Sequence, residues 1–106
     1  MVTNLTKNNV QQEVENATKP VIIDVFATWC GPCMQMKPIF EKLSQDMGNT
    51  YNFLQLNVDE ARELAIQYSV TSVPTFLFIK NNQIQGKEIG YMSQEDLVEK
   101  INEYLG

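Results

Sequence analysis

Cys30 and Cys33 are the only cysteines in a chain of 106 residues, and two residues separate them. A Cys-x-x-Cys pair has two ordinary uses, as half of a zinc site or as a dithiol/disulfide couple. Zinc normally takes four Cys or His ligands, and with no histidine and no further cysteine the pair cannot complete a site within one chain. A structural staple is poorly served too, because the entropy a disulfide removes from the unfolded chain grows with the loop it closes. Redox exchange is the chemistry that remains. The lack of histidine also excludes a Cys-His nucleophile or a Ser-His-Asp triad. Proton transfer therefore falls to carboxylates, thiols or water.

The setting of the pair fits that chemistry. Val21 to Ala27 is apolar on both alternating faces, as in a central strand covered by helices on both sides. After Cys33 the apolar residues Met36, Ile39, Phe40, Leu43 and Met47 fall at helical spacing, up to Gly48. The cysteines thus open a helix, where unpaired N–H groups and the helix dipole favour a thiolate. Pro32 suits the first turn, which needs no N–H there. Cys30, at the helix end, is expected to be the exposed attacker that forms a mixed disulfide with substrate. Cys33, one turn along, is expected to resolve that intermediate. Asp24 is the one charge in the preceding strand. Burial there would raise its pKa toward working pH, which suits a proton carrier; the plainer alternative is an inert, hydrogen-bonded carboxylate at the strand end.

The elements that must hold these residues alternate along the chain. Asn8, with Gln11 three residues on, is placed to cap a first helix carrying Val10, Val14 and Ala17, closed by Pro20. Pro38 removes one backbone bond from the helix after the cysteines and is expected to kink it. Phe53 to Val58 reads as a strand and Ala61 to Tyr68 as a short helix. Thr75–Lys80 and Ile84–Ile89 read as an antiparallel hairpin turned at Asn81-Asn82. Ser93 with Asp96 starts a last helix bearing Leu97, Ile101, Tyr104 and Leu105. Val2 to Leu5 reads equally as an edge strand or as a loop. The expectation is one α/β domain over residues 1–106, a mixed sheet between helices.

Composition narrows the partners. A net charge of −5, with eight scattered Lys and Arg, argues against nucleic acid. No apolar run approaches the roughly 20 residues that span a bilayer, and the start MVTNLTKNNVQQE has no signal-peptide pattern. A cytoplasmic monomer is expected.

The chain resembles the thioredoxins. The resemblance is carried by Trp29-Cys30-Gly31-Pro32-Cys33, Asp24 six residues before the first cysteine, Pro38 five after the second, Val73-Pro74-Thr75 and Gly90, and it covers almost the whole chain. It implies the thioredoxin fold and a protein disulfide reductase cycling between dithiol and disulfide. By this resemblance Asp24 relays protons to and from Cys33, Pro74 is a cis-proline facing the cysteines, and Val73 offers backbone groups to a substrate strand. Trp29 and Gly90 complete an apolar rim around Cys30, with Gly31 and Pro32 among the substrate contacts. The chain also departs from the family. Met34 stands where a basic residue is frequent, and Tyr91 where a small one is. Beside Cys30 these two and Met92 would make an adaptable apolar rim, although a structural role for Met34 is as good a reading. Gln55 stands where many bacterial thioredoxins carry lysine, which would leave Asp24 desolvated with less compensation.

The resemblance further implies oxidised proteins as substrates and a separate reductase that carries NADPH and flavin. This chain has no glycine-rich dinucleotide fingerprint, so no cofactor of its own is expected. Two other readings compete. A disulfide oxidase or isomerase is disfavoured by Gly31-Pro32, where oxidising relatives usually carry histidine. A non-catalytic assembly subunit would act through its folded surface alone.

Overall fold

The computed structural model describes all residues from Met1 to Gly106. Five strands, β1 (Thr3–Asn4), β2 (Val21–Phe26), β3 (Asn52–Asn57), β4 (Thr75–Lys80) and β5 (Gln83–Ile89), form one sheet in the order β1-β3-β2-β4-β5. β2 lies at the centre, parallel to β3 and antiparallel to β4, while β1 runs parallel to β3 at one edge. This is the thioredoxin fold, an α/β architecture with helices on both faces. Val2–Leu5 does supply an edge strand, two residues long.

β2 is buried along its entire length, so its alternating side chains feed two cores. On one face Val21, Ile23 and Val25 meet Leu54, Leu56 and Leu77 under Val14 and α2 (Arg62–Gln67). On the other Ile22, Phe53, Phe76 and Phe78 pack against α1 (Gly31–Met47) and α3 (Gln94–Leu105). α1 continues through Pro38 as one helix of 17 residues.

Two local signals work as expected. Asn81 and Asn82 take φ of 54° and 59°, the left-handed pair that a tight β4–β5 hairpin needs. Ser93 Oγ accepts the Asp96 N–H at 3.1 Å and caps α3. The first helix differs. Asn8 caps nothing: its N–H donates to Thr6 Oγ1, and a short π-helical turn follows at Gln11–Glu15 without a side-chain cap. Asn9 is the reason. Its Oδ1 accepts the Thr6 N–H and its Nδ2 donates to the Asn4 carbonyl, both at 2.8 Å, which ties the turn back to β1.

Candidate active site

Cys30 is the N-cap of α1, with extended backbone, and Cys33 lies in the first turn. The two are joined as a disulfide with 5.2 Å between their Cα atoms. The Cys33 N–H donates to Cys30 Sγ at 3.3 Å, so a helix-end donor points at the sulfur that would carry charge in the reduced protein. The expectation that Cys30 stands exposed needs correction: only 8% of it is accessible, against none of Cys33. Both sulfurs are sunk among Phe26, Ala27, Val58 and Val73. Cys30 is the more accessible member of a largely buried pair.

The predicted neighbours gather at this end of the sheet. The Val73–Pro74 bond is cis, and the Val73 carbonyl lies 3.8 Å from Cys30 Sγ. The Gly90 N–H donates to the Pro74 carbonyl at 2.9 Å, and Gly90 has φ of 101°, which few other residues adopt. Gly31 and Pro32 are exposed on the first turn of α1. Trp29 is 71% exposed; its indole N–H donates to Asp59 at 3.1 Å, a partner the sequence did not suggest. A groove of about 270 Å³ runs beside it, lined by Trp29, Val58, Ile66, Val70 and Val73 among others. A larger depression of about 420 Å³, between Thr6–Asn8 and Asp59–Leu64, contains no cysteine. Met34 and Tyr91 are exposed, whereas Met92 is half-buried against the α1–α3 core, its N–H directed at Met36 Sδ.

Asp24 lies fully buried in β2, on the sheet face that α1 covers. Neither carboxyl oxygen accepts a hydrogen bond from a protein group. Burial raises its pKa from 3.8 to about 7, with the nearby Lys37 ammonium pulling the other way. Lys37 is the residue that sequence reasoning missed. Gln55 pairs with Asp24 in register, as the family position implies, but the positive charge comes from α1 instead. Lys37 Nζ lies 3.0 Å above the centre of the Phe26 ring and donates to Gln55 Oε1 at 2.9 Å. One signal was available: Lys37 stands four residues after Cys33, hence on the same helix face.

A disulfide at a helix N-terminus is an arrangement suited to exchanging electrons with other disulfides. The thioredoxin family model matches residues 1–103. The chain is 37% identical over 101 residues to a thioredoxin of Chlorobaculum thiosulfatiphilum, covering 95% of this chain and 94% of that one. Against a thioredoxin of Rickettsia bellii it is 33% identical over 102 residues, covering 96% and 97%. It is also 40% identical over 97 residues to a peptide-N(4)-(N-acetyl-beta-glucosaminyl)asparagine amidase of Caenorhabditis elegans, a match spanning 92% of this chain but 16% of that larger protein. With the cysteine pair, the fold and these matches agreeing, the chain belongs to the thioredoxin family and is a thiol-disulfide oxidoreductase.

Proposed function

We infer that the protein is a general disulfide reductase, with Cys30 as attacking thiolate, Cys33 as resolving thiol and Asp24 as proton relay. The Cys30 thiolate attacks one sulfur of a substrate disulfide; that S–S bond breaks, a Cys30–substrate bond forms, and the released sulfur takes a proton. Cys33 passes its proton to the Asp24 carboxylate and attacks Cys30 Sγ as a thiolate. The mixed disulfide breaks, and the second substrate sulfur leaves and is protonated. The substrate has gained two electrons and two protons, and the pair ends as the Cys30–Cys33 disulfide. The observation that carries the assignment is the unequal placement of the sulfurs: Cys30 keeps the 8% accessibility and receives the Cys33 N–H, while Cys33 has no access to an incoming disulfide.

Trp29, Gly31, Pro32, Val73, Pro74 and Gly90 serve as the substrate-contacting rim in this reading. The exposed Trp29 and its groove support an extended substrate segment lying along Val73. Electrons would return from a separate reductase carrying NADPH and flavin. The protein would act as a cytoplasmic monomer of one domain; no helix is long and apolar enough to cross a membrane.

Insulin reduction coupled to a thioredoxin reductase tests the reading. Cys30→Ser is expected to abolish turnover without forming adducts, and Cys33→Ser to stall as a mixed disulfide on Cys30. Normal turnover by Cys33→Ser, with adducts on Cys33 in the Cys30→Ser protein, would reverse the two roles.

A further inference from the structure

Lys37 is held from the far edge of the sheet. A lysine ammonium on its flexible stem ordinarily points into water. Here it lies over Phe26 and donates to Gln55 Oε1. Gln55 Nε2 in turn donates to Asn4 Oδ1 on β1, and the register places Asn4 opposite Gln55 and Gln55 opposite Asp24. The amide has one accepting and one donating end, and a lysine can only donate. Asn4, by accepting the amide N–H, leaves the oxygen turned toward Lys37. Asn4 is itself anchored, since its carbonyl accepts Asn9 Nδ2.

We propose that Asn4 and Gln55 are positioning residues for the redox reaction: together they hold the Lys37 ammonium near the buried Asp24 carboxyl and so set the pH at which that carboxyl parts with its proton. The consequence for catalysis rests on Asp24 being the relay. The surroundings leave Lys37 as the charge that matters. In register with Asp24 stand the neutral Gln55 on β3 and Phe76 on β4. Beyond Phe76, Glu88 on β5 is engaged by Tyr104 Oη at 2.6 Å and by Lys100 at 3.7 Å, both from α3. α1 contributes Lys37, which makes no ion pair shorter than 4 Å with the carboxylate, so its effect depends on where the chain through Gln55 places it.

The test is an NMR titration of the Asp24 side-chain carbon in the disulfide form, where neither cysteine titrates. Lys37→Met is expected to move the Asp24 midpoint upward by about one pH unit, and Lys37→Arg to restore most of it. Asn4→Ala, at an exposed edge position, is expected to move it in the same direction by about two- to threefold in ionisation constant, and Gln55→Met likewise. In a Lys37→Met background neither should add a further shift. An Asn4→Ala midpoint equal to wild type, or an equal shift with and without Lys37, overturns the proposal. Failure of the relay is visible separately: Asp24→Asn would then turn over with the wild-type pH dependence, whatever the titrations show.

Discussion

A carboxyl with no hydrogen-bond donor, sealed between α1 and the sheet, makes stability depend on pH. For Asp24 desolvation outweighs the attraction of Lys37, and its native pKa lies at about 7 against 3.8 for an ordinary carboxyl. Below pH 3.8 both native and unfolded chains hold the proton and the group contributes no penalty. Between 3.8 and about 7 the unfolded chain loses its proton while the native one keeps it, so stability falls as pH rises. Above that the loss is complete, on the order of 4 kcal/mol at ~1.4 kcal/mol per pH unit. Asp24→Asn keeps a buried polar group but cannot ionise. It is expected to remove this slope, gaining several kcal/mol relative to wild type between pH 4 and pH 8. Urea unfolding of both proteins at the two pH values measures the difference, and parallel slopes would show that Asp24 titrates alike folded and unfolded. Asp24 and the cysteines were legible because each breaks its local pattern, a charge in an apolar strand and thiols at a helix start. Lys37 was not, since a lysine on an amphipathic helix is commonplace. Gln55 read as a lost charge, because sequence alone does not reveal that the ammonium approaches from another element.

Elements were legible where local chemistry decides them. The Asn81-Asn82 turn and the Ser93 cap involve neighbouring residues only, and both form as expected. The first helical segment forms with Val10, Val14 and Ala17 on the core as expected, but it starts from Thr6 and Asn9 and not from Asn8: Thr6 Oγ1 accepts the Asn8 N–H while Asn9 Oδ1 accepts the Thr6 N–H, a reciprocal pair placed two residues before the expected cap. Contact between β5 and α3 was invisible because it depends on a glycine meeting a ring from 18 residues away. A Cβ at Gly86 would collide with the face of the Tyr104 ring, which packs on Phe78 with centroids 5.0 Å apart and holds Glu88 through its hydroxyl. Gly86→Ala must push that ring aside, and is expected to lose about 1–3 kcal/mol of stability. In a Tyr104→Ala background the same change should lose little. Denaturant unfolding of the four proteins gives the coupling, and an undiminished loss without the ring would place the cause in the backbone of β5.

At the scale of the whole molecule, two cores share one sheet. The strand–helix alternation announced a layered α/β unit, but not that β1 would sit outside β3 and reach the active-site network through Asn4. A radius of gyration of 12.3 Å matches a single compact body, for which about 13 Å is usual near 100 residues. β2, β3 and β4 contribute alternate residues to both faces, so neither core can melt without withdrawing support from the strands that build the other. Unfolding should therefore be one transition even when only one face is weakened. Leu54→Ala damages the face under α2, and Leu97→Ala the face under α3; both side chains are buried, and each loss is expected to cost about 2–5 kcal/mol. In each variant Trp29 fluorescence, which reports the active-site end, and far-ultraviolet circular dichroism, which reports helices on both faces, should shift to lower denaturant with a common midpoint and an unchanged slope. Were the faces independent, Leu97→Ala would release α3 first, and circular dichroism would begin to fall before Trp29 responded. Divergent midpoints of that kind would show that the redox end of the sheet can stay folded while α3 is lost.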